Sequence, residues 1–363
     1  MHKNPAYHKY YIYLQSENKQ HKTISTNMVD PIYSPSATRY DGVMQYRRSG
    51  RSGIQMSALS LGFWHNFGSI SNFANCKAMM HCAFDNGITC YDLANNYGPT
   101  YGTAEETFGR MMDLSFRPYR DEMFITTKAG YDMWPGPYGN LGSRKYLMSS
   151  LDQSLKRMHL DYVDLFYSHR FDPDTPMEET LQTLVDIVRQ GKALYVGISN
   201  WPLEAAEFAY QYLRERDVPC LCYQGKYNMM HQHPDREGIL ASADDAGVGF
   251  VAFSPLQQGL LTDRYLHGIP ADSRMARREA LTSDALTPKV LQQIRELNEL
   301  AAERGESLAD MSLAWVLRRP EVTSVIIGAS SVRQLENNLR CLESQSFSDE
   351  QLDAIEDILH FGK

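Results

Sequence analysis

The chain has 363 residues, a formal net charge of −8 and 43% hydrophobic residues. This length can bury one large α/β core or two smaller ones, and the mild acidity gives no support to a nucleic-acid-binding surface. The apolar runs are too short to cross a bilayer, so we expect no membrane segment.

Residues 1–40 differ in composition from the rest of the chain. Residues 2–27 mix Lys, His, Tyr and Ser, and they contain no apolar core of the kind found in signal peptides. We expect residues 1–40 to form an extension that is disordered in part. We expect residues 41–363 to form a single domain.

Short β-prone runs alternate with helical patterns from residue 44 onward. A hairpin is predicted over 44–57, around a Gly-rich turn. Strands are predicted at 58–64, 87–92, 123–128, 162–169, 193–199, 220–224, 248–254 and 323–328. Helices are predicted at 75–86, 104–112, 143–160, from 175 onward, and at 202–214, 236–246, 290–304, 308–318, 332–341 and 349–359. A long loop is expected over 257–287.

Eight strands that mostly alternate with helices favour one architecture. Their short apolar runs are typical of strands buried on both faces. The pattern predicts an α/β fold, a closed (β/α)₈ TIM barrel with an N-terminal β-hairpin and extra C-terminal helices. A doubly wound sheet is the alternative, although it would normally use fewer βα units.

The cysteines and histidines predict neither disulfides nor a metal site. The six cysteines form no CxxC pair, and four of them lie in apolar patterns. We therefore expect buried free thiols in a reducing compartment such as the cytoplasm. His231 and His233 are the one close histidine pair, which we interpret as a polar loop feature rather than as metal ligands.

Four ionisable side chains follow the predicted ends of three consecutive strands. Asp92 and Tyr97 follow the second strand, Lys128 ends the third and His169 ends the fourth. Because the carboxyl ends of barrel strands surround one rim, we expect these side chains to meet. Taken singly, Asp92 could instead cap a turn and Tyr97 could be a packing residue.

This set suits proton transfer to a carbonyl oxygen. An ammonium group beside a tyrosine stabilises the phenolate and is expected to lower its pKa, and an aspartate keeps that ammonium charged. The sequence offers no nucleophile poised for acyl transfer. A proton donor without a nucleophile needs an electron source, so a hydride cofactor is the economical inference.

The spacing of these residues and of later motifs is similar to that of the aldo-keto reductases. The motifs are Asp92 with Tyr97, Thr127-Lys128, Ser168-His169, Gly197-Ile198-Ser199-Asn200, Ser254-Pro255-Leu256 and Ile327-Gly328-Ala329-Ser330. The loop from Lys128 to Gly139 resembles a branch of bacterial triose phosphate reductases that is akin to the β-subunits of voltage-gated potassium channels.

The resemblance implies roles for the rim residues. Tyr97 would be the general acid, Lys128 the neighbour that lowers its pKa, Asp92 the partner of the lysine and His169 the group that orients the carbonyl. It also implies NADPH (or NADP⁺ in the reverse direction), bound across the rim without a Gly-rich Rossmann turn, and no GxGxxG follows any predicted strand.

The resemblance further implies a set of cofactor-binding positions. The nicotinamide end would contact Trp64, Asp92, Ser199, Asn200, Gln224 and Phe253. The pyrophosphate loop would be Ser254, Leu256, Gln258 and Gly259. The adenosine end would contact Gly328, Ser330, Gln334 and Asn338, with Arg264 or Arg333 at the 2′-phosphate. Two positions depart from the family pattern: Arg264 stands in place of a lysine, and Asn337 in place of an acid that contacts adenine.

Two functions follow from the resemblance. The first is NADPH-dependent reduction of a small aldehyde, such as L-glyceraldehyde 3-phosphate or methylglyoxal, with Arg144 or Arg170 facing a substrate phosphate. The second is a cofactor-loaded subunit of a channel or another complex, in which turnover is incidental. A homo-oligomer, either a tetramer or an octamer, is implied by the resemblance alone.

Overall fold

The computed structural model describes residues 33–266, 268–270 and 285–359. It begins with a hairpin in which β1 (Tyr46–Arg48) pairs antiparallel with β2 (Gln55–Ser57). Gly50 in the turn has a φ of +49° and lies so close to the carbonyl of Gly247 that a β-carbon would stand 2.1 Å from its oxygen. Only glycine fits there, which fixes the turn against the barrel.

Eight parallel strands form a closed barrel in which each strand pairs with its sequence neighbour and the last pairs with the first. They are β3 (Leu59–Gly62), β4 (Cys90–Asp92), β5 (Phe124–Ala129), β6 (Val163–Ser168), β7 (Ala193–Ser199), β8 (Cys220–Lys226), β9 (Gly249–Phe253) and β10 (Val322–Ile327). The predicted (β/α)₈ barrel and its N-terminal hairpin are confirmed, and the doubly wound sheet is excluded.

Helices surround the barrel. They are α1 (Phe73–Asp85), α2 (Thr103–Met111), α3 (Arg144–Met158), α4 (Met177–Arg189), α5 (Leu203–Arg214), α6 (His233–Arg236), α7 (Ile239–Ala246), α8 (Pro288–Glu303), α9 (Leu308–Leu317), α10 (Val332–Leu339) and α11 (Asp349–Leu359). Local capping explains several starts: the Ser143 side chain, for example, accepts a hydrogen bond from the Tyr146 backbone N–H at 3.3 Å.

The barrel interior is filled from its amino end by side chains of alternate strand residues. Met56 of the hairpin packs there with Cys90, Tyr167 and Val251, all fully or almost fully buried. Ser49 of the hairpin turn donates to the carbonyl of Leu221 at 3.0 Å. The hairpin therefore closes the amino end, and the opposite rim is left for the site.

Two stretches differ from the predicted elements. The helix predicted over 236–246 begins earlier and is broken at Gly238, which has a φ of +81° and separates α6 from α7. A π-helical turn (Met112–Phe116) and a 3₁₀ helix (Arg117–Glu122) follow α2, where the sequence pattern predicts nothing. Short turns without apolar periodicity carry no signal that a helical pattern can match.

The predicted extension falls mainly on residues 1–32, which lie outside the described residues. Of its remaining residues, Arg39 forms an ion pair with Glu122 at 2.6 Å, and the Ser36 backbone N–H donates to Asp85 at 2.7 Å. The division at residue 40 stays a prediction. In the described part of the chain, no helix combines the length and apolarity that crossing a membrane requires.

Candidate active site

The fold brings the four rim residues together. Asp92 is the last residue of β4, Lys128 lies near the end of β5, and His169 directly follows β6. Tyr97 lies in the loop after β4. Because these three strands are neighbours in the barrel, their carboxyl ends place all four side chains at one part of the rim.

Lys128 is the centre of the cluster and is completely buried. Its ammonium donates to Asp92 Oδ2 at 2.7 Å, to the carbonyl of Leu93 at 2.7 Å and to the Tyr97 hydroxyl at 3.3 Å. The ammonium thus links a buried carboxylate to a phenol. Three acceptors satisfy its three donors, so the buried charge is fully hydrogen-bonded.

Asp92 also accepts hydrogen bonds from side chains of β5 and β8. Thr126 Oγ1 donates to Asp92 Oδ1 at 3.0 Å, and Gln224 Nε2 donates to the same oxygen at 2.9 Å. The sequence interpretation assigns no role to Thr126. That role could have been predicted from the two-residue period of a strand, because this period points Thr126 and Lys128 to the same inner face.

The pKa of Tyr97 shifts in the direction opposite to the expected one. Burial, and then the negative charge of Asp92, raise the pKa of Tyr97 well above its ordinary value, even though the Lys128 ammonium is beside it. Burial also lowers the pKa of Lys128, and the charge of Asp92 opposes that change. The expectation of a lowered tyrosine pKa is therefore wrong for the protein as described. The raised pKa keeps Tyr97 protonated at neutral pH. It also makes the phenol a weaker acid, and the Lys128 ammonium opposes this because it stabilises the phenolate.

His169 is buried and uncharged at neutral pH. Burial, together with the positive charges of Lys128 and Arg170, lowers the pKa of His169 well below its ordinary value. Its ring meets that of Tyr97 edge to face with centroids 5.8 Å apart, and that of Tyr131 at 4.7 Å. Among the described residues, none hydrogen-bonds to His169 Nδ1. Tyr131 is a second residue at the site for which the sequence interpretation proposes no individual role.

A cleft of about 320 Å³ opens beside Tyr97 and runs across the rim. It lies between the ends of β3, β9 and β10 and the loops that follow them. The predicted residues that line it are Trp64, Asp92, Tyr97, Phe253, Ser254, Leu256, Gln258, Gly259, Arg264, Gly328, Ser330 and Gln334. Further lining residues include Asn66, Thr262, Tyr265 and Ile326, which no motif singled out.

Three predicted nicotinamide contacts do not line the cleft and instead bind their neighbours. Gln224 donates to Asp92, as described above. Asn200, whose φ is +55°, donates to the His169 carbonyl at 3.2 Å and to Ser199 Oγ at 3.0 Å. These side chains form a polar network between the ends of β6, β7 and β8. The network borders the cluster of Asp92, Tyr97, Lys128 and His169 rather than the cleft.

The loop after β9 has an unusual backbone. Ser254, Gln257 and Gln258 all have positive φ values, between +45° and +58°, a conformation uncommon outside glycine. Asn228 holds this loop, since its amide donates to the Ser254 carbonyl at 2.9 Å and to Gln257 Oε1 at 3.0 Å. Gln258 Oε1 is buried and has no hydrogen-bond partner within the described ranges.

The far end of the cleft meets the start of α10. Gln334 Oε1 accepts hydrogen bonds from the Ser330 backbone N–H at 2.8 Å and from Ser330 Oγ at 2.9 Å. A β-carbon added at Gly328 would have no neighbour within 4 Å, so this wall of the cleft is open. Asn338 is 3% exposed and is not part of the lining, and its Nδ2 has no partner in the portion of the chain described.

The predicted cations occupy different places. Arg264 lines the cleft and Arg333 does not, although both are exposed.

Arg144 forms an ion pair with Asp186 on α4. Arg170 donates to the Gly130 carbonyl at 2.8 Å and to Asn140 Oδ1 at 2.7 Å, and its guanidinium stacks over Tyr131. Arg170 therefore lies beside the cluster, since Tyr131 contacts His169. Asn337 accepts a hydrogen bond from Arg340.

The six cysteines are all free thiols, and five of them are buried. In the described ranges no group of three or more histidine, cysteine or acidic side chains is arranged to hold a metal ion. The ring of His231, on the loop before α6, lies 4.7 Å from that of His233, the first residue of α6. The chemistry that the described site offers is thus a protonated phenol backed by a buried ion pair, with an uncharged imidazole beside it.

Comparison with known proteins identifies the family of this chain. Residues 58–360 match the sequence profile of the Aldo/keto reductase family. The chain is 52% identical to the L-glyceraldehyde 3-phosphate reductase of Escherichia coli strain K12 over 336 residues, which cover 92% of this chain and 97% of the relative. It is 36% identical to a probable voltage-gated potassium channel subunit beta of Oryza sativa subsp. japonica over 307 residues, covering 83% and 92%. The chain is an oxidoreductase that belongs to the aldo/keto reductase family.

Proposed function

We propose that this protein reduces a small aldehyde to an alcohol, with NADPH as the hydride source and Tyr97 as the proton donor. The observation that carries the proposal is the Tyr97 hydroxyl, which lies 3.3 Å from the ammonium of a buried lysine–aspartate pair. A cleft of about 320 Å³ opens beside this hydroxyl. Family membership supports the reductase chemistry.

The residues of the cleft fit a dinucleotide. Phe253 and Trp64 offer aromatic surfaces at one end, and Arg264 offers a cation further along. Gln258 Oε1 is a polar atom of the cleft wall that is buried without a partner in the described residues, as expected for an atom that a ligand satisfies. An arginine can grip a 2′-phosphate with two parallel hydrogen bonds, which favours NADPH over NADH.

Each side chain of the cluster has a distinct role at the substrate carbonyl. Reduced nicotinamide, when bound, supplies the hydride that the carbonyl carbon accepts. Tyr97 donates its proton to the carbonyl oxygen, and the Lys128 ammonium stabilises the phenolate that remains. Neutral His169 keeps a ring N–H for hydrogen bonding to the same oxygen. Asp92 holds Lys128 in place, as the 2.7 Å contact indicates.

For the substrate we favour a triose phosphate aldehyde, L-glyceraldehyde 3-phosphate, because a relative of 52% identity carries that name. Methylglyoxal is a second substrate that we propose. Arg170 is the better candidate for the substrate phosphate, since Arg144 is already paired with Asp186. No carboxylate among the described residues forms an ion pair with Arg170, and it lies beside the cluster.

A substrate panel tests the proposal. NADPH oxidation is measured with both enantiomers of glyceraldehyde 3-phosphate, with unphosphorylated glyceraldehyde and with methylglyoxal. We expect turnover with L-glyceraldehyde 3-phosphate, and we expect Arg170→Gln to raise KM for the phosphorylated aldehyde more than for glyceraldehyde. Arg144→Gln is the matched control and should change both alike. If Arg170→Gln and Arg144→Gln changed these KM values equally, Arg170 would not be a ligand of the substrate phosphate.

A second candidate function is a cofactor-binding subunit whose turnover is incidental. It is favoured by the printed names of relatives at 36% and 35% identity from Oryza sativa and Arabidopsis thaliana, which are probable voltage-gated potassium channel subunits beta. Tight NADPH binding with negligible turnover on every aldehyde of the panel would favour this function over the reductase.

We also propose that the protein acts in the cytoplasm as a homo-oligomer, either a tetramer or an octamer. Free thiols in the described residues are in keeping with a reducing compartment. Sedimentation velocity tests the subunit count: a single monomeric species at micromolar concentration would contradict it.

A further inference from the structure

Glu105 is a carboxylate that the proposed chemistry does not use, although it is completely buried. It lies in the first turn of α2. Its Oε1 accepts a hydrogen bond from Thr127 Oγ1 at 2.6 Å, and its Oε2 accepts one from Arg157 Nε at 2.8 Å. A buried carboxylate is costly unless it is paired, so this arrangement needs a reason.

The reason lies in what Glu105 contacts. Thr127 immediately precedes Lys128 on β5, and successive strand residues point to opposite faces. Thr127 therefore points outward to Glu105, while Lys128 points inward to Asp92 and Tyr97. Glu105 lies directly behind the strand that carries the lysine. The hydrogen bond from Thr127 to Glu105, at 2.6 Å, is the shortest one that a side chain of β5 forms.

The charges around Lys128 come from several elements. The titratable and charged groups that face it or act on it are Asp92, Tyr97, Tyr167, His169 and Glu105, and Arg157 pairs with Glu105. Burial lowers the pKa of Lys128, and the negative charge of Glu105 works with that of Asp92 against this change. Arg157, only 14% exposed, offsets part of the Glu105 charge.

We propose that Glu105 is a positioning residue for the reductase: from behind β5 it anchors Thr127 and places a buried negative charge behind the strand segment that carries Lys128. The inference rests on the proposed function for its catalytic meaning, but its electrostatic part concerns the cofactor-free protein. Glu105 touches neither substrate nor cofactor in this scheme. It acts through the lysine.

The first test is a titration of Lys128 in the cofactor-free protein. The Nζ resonance of ¹⁵N-lysine-labelled protein is assigned with Lys128→Met and followed against pH. Glu105→Gln should lower the Lys128 pKa by roughly one unit, because a neighbouring negative charge is lost. Arg157→Gln should raise it, because the Glu105 charge is no longer offset. Thr127→Val removes the hydrogen bond and keeps the charge, so the Lys128 pKa should stay near the wild-type value.

The opposite signs separate this proposal from a purely structural role. A structural role would lower the thermal midpoint in all three variants and leave the Lys128 pKa unchanged. If Glu105→Gln does not fold, the direction of the shift in Arg157→Gln decides. No shift in either charge variant would overturn the inference.

The second readout is the pH profile of kcat/KM for aldehyde reduction. Glu105→Gln should move the high-pH limb to lower pH by the same amount as the Lys128 titration, with NADPH affinity unchanged. A wild-type protein that reduces no aldehyde would refute the proposed function, while the titration would still decide the role of Glu105. Active variants with an unmoved limb would refute the positioning role alone.

Discussion

Replacing Lys128 by methionine should strongly destabilise the protein, although methionine is apolar and similar in length. The substitution removes the ammonium that contacts Asp92, the Leu93 carbonyl and Tyr97. Asp92, only 5% exposed, is then left as a buried charge without an ionic partner. Removing one member of a buried ion pair costs about 3 to 5 kcal/mol. Since Thr126 and Gln224 still donate to Asp92, we expect a loss near the lower limit, about 3 kcal/mol.

An exposed ion pair of the same length gives the matched control. Lys192 Nζ lies 2.7 Å from Asp152 Oδ1, the same distance as in the buried pair, but these side chains are 28% and 47% exposed. Lys192→Met should therefore cost less than about 1 kcal/mol. The comparison isolates burial, because the bond length and the substitution are the same.

Urea unfolding followed by circular dichroism measures both variants. The double variant Asp92→Asn with Lys128→Met should be more stable than the sum of its single changes by about 1 to 3 kcal/mol, since it leaves no unpaired charge. Equal losses for Lys128→Met and Lys192→Met would refute the assignment of stability to the buried pair. Strict additivity in the double variant would refute the coupling.

Three further predictions concern pH, space and cofactor choice. The folded-state pKa of His169 lies below its unfolded value, so the free energy of unfolding should fall by about 1.4 kcal/mol per pH unit below about pH 6.5. His169→Gln should flatten that decline in urea unfolding, and an unchanged slope would contradict the prediction. Gly328→Leu fills open space in the cleft, so it should fold normally and weaken NADPH binding about tenfold or more in a fluorescence titration, whereas unchanged affinity would place the dinucleotide elsewhere. Arg264→Gln should reduce the preference for NADPH over NADH by about tenfold, with Arg333→Gln as the control of smaller effect, and the reverse order would move the 2′-phosphate to Arg333.

The sequence was sufficient for the barrel because its strands are short, apolar and regularly separated by amphipathic helices. The rim residues were also predictable, since Asp92, Lys128 and His169 stand at or just past the ends of their strands. A closed barrel brings such ends together whatever the loops do. Position along the chain thus determined position in the site.

Other features depend on contacts that no sequence pattern contains. The break at Gly238 follows from a backbone conformation, and the apolar period on either side does not reveal it. The raised pKa of Tyr97 depends on how much burial outweighs a nearby ammonium, which is a three-dimensional quantity. Similarly, the hydrogen bond from Gln224 to Asp92 joins strands that are not neighbours in the barrel.

Turnover by Tyr97→Phe tests the central claim most directly. The phenylalanine keeps the ring against His169 and removes only the hydroxyl that faces Lys128. We expect kcat for reduction of L-glyceraldehyde 3-phosphate by NADPH to fall by about 10²- to 10⁴-fold, with the NADPH Kd and the thermal midpoint nearly unchanged. Tyr131→Phe, which removes a neighbouring phenol, should retain most of the activity. Wild-type kcat in Tyr97→Phe would contradict the assignment of Tyr97 as the proton donor.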